Sequence, residues 1–371
     1  MASSLADVAA QLSAPGKGLL ASDESTATIG KRLEKAGLPN TEEIRRAYRE
    51  LYYTTPGMGQ YISGVIMFKE TLYQSTKAGR PFVEVLAEQG ILAGIKVDEG
   101  LEPLAGAADG ETHTKGLEGL EANCHEYVRA GAKFAKWRAT LKVTDTLPSA
   151  LAVERNADEL AQYAKICQNC GLVPVVEPEI LIDGSHSQER FGQVTEQVIG
   201  ATVAALWRHG VELEGCLLKP QMVIPGADAE GGKASAADVA RCTVAALRRV
   251  VPPAIPGIMF LSGGQTEEEA TINLNAVNRE AQAVGRCAWA LSFSFGRALQ
   301  ASVLKLWSTD QTRVAEAQQL ALALARVNSE AALGRYSASS GSHPSTLGAA
   351  TLHETFRGWN GQPAGNGTAA Q

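Results

Sequence analysis

The chain has 371 residues, 45% of them hydrophobic and 20% charged, with a net charge of -6 and a pI near 5.7. This is the composition of a soluble globular protein, as one large domain or two smaller ones. No long Lys/Arg run offers a basic face to nucleic acid or an anionic membrane, and no segment is apolar enough to span a bilayer.

The N-terminus, Met1 to Leu12, mixes Ala, Ser and Asp without a charged start and apolar stretch, so no secretory signal is expected. It is also poor in Arg. A cytoplasmic location is expected, or a plastid if a transit peptide has been removed.

From there short apolar runs recur at Gly18–Ser22, Ile62–Phe68, Ile91–Val97, Phe134–Ala139, Leu172–Val176, Gly215–Lys219, Gly257–Ser262 and Trp289–Phe295. Helical patterns lie between them, at Thr41–Tyr53, Gly116–Ala130, Asn156–Cys170, Glu189–His209, Ala236–Val251 and Glu267–Arg279. Near-continuous apolar strands alternating with helices predict a parallel sheet buried on both sides. This number of repeats favours an α/β fold built as a single (β/α)8 TIM barrel over an open doubly wound sheet. The barrel domain is expected over residues 1–336. Residues 337–371, rich in Ser, Gly, Ala, Pro and Asn, are expected to form a flexible C-terminal tail. Asn366-Gly-Thr has the pattern of a glycosylation acceptor, but nothing else points to secretion.

The chemistry gathers where these runs end. The first closes in Ser22-Asp23-Glu24-Ser25 and the third in Lys96-Val97-Asp98, while the fourth carries Lys136-Trp137-Arg138. Glu177-Pro178-Glu179 and Lys219-Pro220-Gln221 close the fifth and sixth. Ser262-Gly263-Gly264-Gln265 and Phe295-Gly296-Arg297 close the last two. Strand alternation puts Lys136 and Arg138 on one face, and likewise Glu177 and Glu179. A single Lys or Glu at a strand end is usually a solvated rim residue. Opposite charges converging from several strand ends on the face where a barrel keeps its active site favour a site. Ser262-Gly263-Gly264 offers backbone N–H groups, and Gly296-Arg297 opens a helix whose N-terminus favours an anion. Together they predict a phosphate site after the last two strands. Pro15-Gly16-Lys17-Gly18 precedes its strand and lacks a following Ser/Thr, so it is no P-loop.

The six histidines, His113, His125, His186, His209, His343 and His353, form neither H-x-x-E-H nor H-E-x-x-H. Only His186, near Asp183, falls close to the expected mouth, so no catalytic metal is expected. The six cysteines show no disulfide framework, and reduced thiols are the default. Cys167 and Cys170 form a C-x-x-C, but it closes a helical stretch before Gly171. A redox pair needs it at a helix start after a strand.

At these residues the sequence resembles class I fructose-bisphosphate aldolase from about Pro15 to Tyr336. The matching stretches are PGKGLLASDEST, IGKRL, GIKVDEG, AKWR, VVEPEIL, LLKPQM, FLSGGQ and FSFGRAL, and NSEAALG near Asn328 looks closest to the cytosolic plant and green-algal forms. The resemblance implies a homotetrameric (β/α)8 barrel lyase of glycolysis and gluconeogenesis. It would need no cofactor and would cleave fructose 1,6-bisphosphate reversibly into dihydroxyacetone phosphate and glyceraldehyde 3-phosphate. Residue by residue, it makes Lys219 the Schiff-base lysine and Glu177 the acid–base carboxylate. Asp23 handles the substrate hydroxyl, Lys136 is the second lysine and Glu179 an accompanying acid. Ser262, Gly263, Ser294, Gly296 and Arg297 match the C1-phosphate site, and Gly264 of the same loop is expected to bind substrate. Lys96, Arg32, Arg45 and Arg138 match other basic positions on the substrate side. An imine on Lys219 supplies the electron sink that carbon–carbon cleavage requires, and a neighbouring cation such as Lys136 favours the unprotonated amine that forms it. The tail departs from the family, which ends in a tyrosine. Here Tyr336 is the last tyrosine, and Leu352–Trp359 falls where the family's terminal peptide would end. That stretch is expected to dock as a hydrophobic lid.

Two other functions fit parts of this pattern. A Schiff-base barrel aldolase for a keto-deoxy sugar acid would need one anion site, whereas the basic residues here suggest two anionic ends. A catalytically dead scaffold for sugar phosphates or cytoskeleton would show degenerate catalytic positions, and Lys219, Glu177, Asp23 and Lys136 are intact.

Overall fold

The computed structural model describes residues 4–285, 287–337, 342–348 and 350–356. Its strands are β1 (Gly18–Ser22), β2 (Ile62–Met67), β3 (Leu92–Lys96), β4 (Leu101–Pro103), β5 (Thr112–Thr114), β6 (Phe134–Leu141), β7 (Val173–Ile180), β8 (Leu217–Leu218), β9 (Gly257–Phe260) and β10 (Ala290–Phe295). All but β4 and β5 pair in parallel and close a barrel in the order β1-β10-β9-β8-β7-β6-β3-β2. Closure excludes the open sheet. The β4–β5 antiparallel hairpin is an insertion between β3 and β6 that the sequence pattern does not reveal.

The apolar runs look continuous because both faces of each strand are buried. One face points outward at the helices, where Leu20, Ile95, Trp137, Val176, Leu218 and Phe260 join the larger core. The other points into the barrel, where Leu19, Ala21, Ile66, Phe134, Val175, Leu217 and Met259 form a second core. The N-terminal helix Leu5–Leu12 adds Ala9 and Leu12 to that interior cluster. The barrel interior is therefore solid at this level.

Packing there is close. A Cβ built on Gly94 would lie 2.3 Å from the Phe134 ring. Gly94→Ala therefore overpacks the interior and costs about 1–3 kcal/mol.

The period of two then lifts the inward face from apolar to charged. Leu19 and Ala21 are followed by Asp23, Phe134 by Lys136, Val175 by Glu177, and Leu217 by Lys219. One alternation thus fills the barrel and arms its carboxyl end.

Short polar caps start the helices that follow. Ser25 accepts from the Thr28 amide and opens Thr26–Lys35, which carries Arg32. Thr266 and Glu269 form a capping box that opens Glu267–Val284 directly after the Ser262–Gln265 loop. The helix expected over Asn156–Cys170 runs instead from Ala150 to Asn169. Ser149 caps it, and its first turn packs Ala152 and Val153 inward, so the apolar face begins earlier than periodicity suggested.

Candidate active site

Four of the expected catalytic residues meet at the carboxyl end of the barrel. Lys219 directly follows β8, and its amide donates to Val176 O at 2.7 Å, which ties it beside β7. Its Nζ lies 3.2 Å from Glu177 Oε1. Glu177 Oε2 lies 2.7 Å from Lys136 Nζ, and Lys136 Nζ donates to Asp23 Oδ2 at 3.0 Å. Lys219, Glu177, Lys136 and Asp23 thus form one chain of alternating charge. Glu177, Lys136 and Lys219 are each more than nine-tenths buried, so each charge depends on the others for solvation.

Burial alone would raise the Asp23 carboxyl. The ammonium charges of Lys136, Lys219 and Lys96 outweigh it and hold Asp23 well below its ordinary range. For Lys136 burial pulls downward, but Asp23, Glu177 and Asp98 surround it with negative charge and raise it above its usual value. Lys136 is therefore a fixed cation, and Asp23 an ionised carboxylate.

A second layer surrounds this chain. Arg138 donates through Nε to Glu179, two residues beyond Glu177 on the same strand. Burial would raise Glu179, but Arg138 and Arg297 hold it below the ordinary glutamate range. Lys96 Nζ pairs with Asp98 Oδ1 at 2.6 Å, and Asp98 Oδ2 accepts from the Arg138 amide at 3.4 Å.

The expected phosphate residues also assemble. Ser262, Gly263 and Gly264 follow β9, with φ of +45° and +82° at the two glycines. A Cβ on Gly263 would fall 1.7 Å from Gln221 Nε2, so a larger residue there would displace the Gln221 amide and adopt a positive φ that favours glycine. Ser294 lies in β10 with its Oγ buried and without a hydrogen-bond partner. Gly296 caps the helix Arg297–Thr309, whose first residue is Arg297. Burial and the nearby Arg32 push the Arg297 guanidinium downward, the signature of cations crowded together without a full anionic complement. Arg32 itself donates to Glu24 Oε1 at 2.6 Å. An anion held by backbone N–H groups, the Ser294 hydroxyl and Arg297 suits such a cradle.

Arg45 is placed differently from the rest. Its fork is closed on Glu70, Nε to Oε1 at 2.8 Å and Nη2 to Oε2 at 2.5 Å, and Nη1 donates to Asn40 Oδ1 at 2.9 Å.

Several neighbours were not singled out from the sequence. Glu24 binds Arg32 and Arg49, and it accepts from Gln300 Nε2 at 3.0 Å. Gln221 supports the glycine loop by donating to Gly263 O at 3.3 Å. Each follows a singled-out residue by one or two positions, and that adjacency was the available signal.

The described part of the tail lies against this face. Arg297 Nη1 donates to Leu352 O and faces Glu354 at 3.9 Å. The Phe356 amide donates to Asp183 Oδ1 at 2.8 Å, and His353 Nε2 lies 3.4 Å from the same oxygen. These contacts are polar, through main chain and charge. Trp359 and Asn366 lie outside the described residues. Among the described residues no group of three or more His, Cys, Asp and Glu could hold a metal ion, and no helix is long and apolar enough to cross a membrane.

The sequence profile of "Fructose-bisphosphate aldolase class-I" matches residues 4–354. The cytosolic fructose-bisphosphate aldolase 4 of Arabidopsis thaliana is 56% identical over 328 residues, covering 88% of this chain and 82% of the relative. The cytoplasmic isozyme of Cicer arietinum is 57% identical over 334 residues, covering 90% and 91%. A solved Plasmodium falciparum fructose-bisphosphate aldolase, in complex with TRAP and a small-molecule inhibitor, superposes with a TM-score of 0.87 at 49% identity. It covers 90% of this chain and 95% of its own. A profile match over nearly the whole chain, with more than half of the aligned residues identical to curated relatives, agrees with the barrel and its charged mouth: the chain belongs to the class I fructose-bisphosphate aldolase family.

Proposed function

We propose that this chain cleaves fructose 1,6-bisphosphate reversibly into dihydroxyacetone phosphate and glyceraldehyde 3-phosphate, through an imine on Lys219. The carrying observation is the position of Glu177, with one carboxylate oxygen 3.2 Å from Lys219 Nζ and the other 2.7 Å from Lys136 Nζ.

In this reading the Lys219 amine adds to the substrate ketone at C2. Glu177 relays the protons that turn the resulting carbinolamine into an iminium with loss of water. Asp23, ionised in the free site, accepts the proton of the C4 hydroxyl as the C3–C4 bond breaks. The bonding pair moves into the iminium as an enamine, and the C4–C6 fragment leaves as the aldehyde. Protonation at C3 and addition of water to the iminium release dihydroxyacetone phosphate and restore Lys219. Lys136, fixed as a cation between Asp23 and Glu177, orients both carboxylates and stabilises charge that develops on oxygen.

Ser262, Gly263, Gly264, Ser294, Gly296 and Arg297 hold the C1 phosphate, while Lys96, Arg32 and Arg138 attract the rest of the anionic substrate. No cofactor takes part. A homotetramer goes with this reading, as does a cytosolic location, the one that the names of the Arabidopsis thaliana and Cicer arietinum relatives carry. Release of triose phosphate from fructose 1,6-bisphosphate, followed in a coupled assay, tests the function. The wild type should turn over, and Lys219→Met should not. Equal rates for the two proteins would defeat the assignment.

A further inference from the structure

Asp23 belongs to the charged chain at the mouth, but the acid beside it takes no part in that chemistry. Glu24 follows β1 with its side chain 7% exposed, and donors reach it from three helices. Arg32 Nη1, from the helix Thr26–Lys35, donates to Oε1 at 2.6 Å. Gln300 Nε2, from the helix Arg297–Thr309, donates to the same oxygen at 3.0 Å. Arg49 Nη2, from the helix Glu42–Tyr53, lies 3.7 Å from Oε2 and donates to the Glu24 main-chain carbonyl at 3.0 Å. One carboxylate thus ties three helices to the end of β1.

These ties are unequal. Arg49 is buried and also reaches Arg45 O at 3.5 Å, so the main chain holds it as well. Gln300 Nε2 donates to Ala21 O at 2.7 Å, so its helix is pinned without Glu24. Arg32 depends on Glu24 more heavily. Its Nη1 is held by the carboxylate, while its Nε is buried and has no hydrogen-bond partner among the described residues. A buried donor left bare on a guanidinium calls for an acceptor. Arg32 also stands close enough to Arg297 to push that guanidinium down. Cations this close repel, and a long side chain without a counter-charge would turn out to water.

We propose, resting on the sugar-bisphosphate reading above, that Glu24 is a positioning residue that clamps one end of the Arg32 guanidinium and so presents its Nε–Nη2 edge to a substrate phosphate. That edge can meet two phosphate oxygens at once. Glu24 touches no reacting atom and acts through Arg32. The sign of its effect separates this role from simple charge. A carboxylate near the mouth repels an anionic substrate, so its removal for charge reasons alone should lower KM. Removal of a clamp should raise KM, because the substrate itself must then order Arg32.

The test compares KM and kcat for fructose 1,6-bisphosphate in the wild type, Glu24→Met, Arg32→Met and the double variant, with folding checked by melting temperature. Glu24→Met keeps a side chain of similar length and removes the acceptor. KM should rise about tenfold, as loss of a hydrogen bond to a charged group causes, while kcat stays near wild type. In the Arg32→Met background the same substitution should change KM little, because the clamped group is gone. If Glu24→Met does not fold, Glu24→Gln carries the same comparison with a smaller rise, since whichever way its amide turns an N–H faces a guanidinium. A KM that is unchanged or lowered would overturn the proposal, and so would a rise of equal size with and without Arg32. Absence of turnover in the wild type would defeat the function itself, whereas wild-type turnover with a flat KM in the Glu24 variant defeats only the role of Glu24.

Discussion

Arg297 donates to the main-chain carbonyl of Leu352, so the tail meets the guanidinium assigned to the C1 phosphate. Glu354 lies 3.9 Å from the same group. Phosphate is the stronger partner for a guanidinium, so substrate and tail compete for Arg297. Leu352 O and the Phe356 amide cannot exchange a catalytic proton, Glu354 and His353 face Arg297 and Asp183, and the acid–base groups Glu177 and Asp23 lie in the barrel. A chain ending at Tyr336 should therefore keep its cleavage kcat within several-fold of the full chain. Tritium exchange at C3 of dihydroxyacetone phosphate, measured alongside, should follow it. A fall of both rates by a hundredfold or so, as loss of a general acid–base residue causes, would show that the tail takes part in catalysis.

The placement of Arg297 makes a second prediction. Arg297→Ala removes a planar phosphate donor while leaving the Lys219–Glu177 pair in place. If it serves the C1 end, KM should rise alike for fructose 1,6-bisphosphate and fructose 1-phosphate. A rise on the bisphosphate alone would assign Arg297 to the C6 phosphate.

Arg45 should behave differently. Its guanidinium is occupied by a bidentate pairing with the half-buried Glu70 and a bond to the exposed Asn40, which fits a structural role. Arg45→Met leaves the half-buried Glu70 without its partner and should lower thermal stability by the equivalent of about 1–2 kcal/mol, between the values for exposed and buried pairs. KM for fructose 1,6-bisphosphate should stay near wild type. An unchanged melting temperature with a raised KM would return Arg45 to the substrate side.

His186 sets part of the acid sensitivity. It is buried against Phe191, neither ring nitrogen has a hydrogen-bond partner, and burial pushes it down to about 4 against the pull of Asp183. The unfolded chain takes up this proton near pH 6.5, about the ordinary histidine value. Stability from this group is therefore fully present above that value and declines as pH falls toward the folded value. His343, also pushed down to about 4 by burial, adds a second contribution of the same sign. His186→Phe should shrink the loss of melting temperature across this window. An unchanged slope would assign the acid sensitivity elsewhere.

Much of the barrel was legible because burial on both faces leaves an unusual trace. Runs such as Val173–Val176 and Ile258–Phe260 have no polar gap, and their ends carry the charges. The charged strand ends followed from the same alternation, which lifts Val175 to Glu177 and Leu217 to Lys219, whereas the roles of these residues came from the family resemblance. Residues whose role is set across the fold were not legible. The three-residue strands β4 and β5 are too short for any period, and the Leu5–Leu12 helix reads only as unremarkable N-terminal sequence. The closure of Arg45 on Glu70 spans 25 positions, which no local pattern encodes. The approach of Cys124 to Cys167 spans 43 and is equally invisible to local spacing. The described part of the expected Leu352–Trp359 lid, up to Phe356, is held by main-chain and charged contacts that composition does not reveal, and the rest lies outside the described residues.

If Lys219 forms the covalent intermediate, borohydride can trap it there. Incubation with dihydroxyacetone phosphate and sodium borohydride reduces the imine to a stable secondary amine, which peptide mapping then locates. One labelled site per chain is expected, at Lys219, with labelling lost in Lys219→Met and retained when the protein is pre-treated with EDTA. Label on Lys136 or Lys96 in the wild type, or none at all in an active preparation, would contradict it.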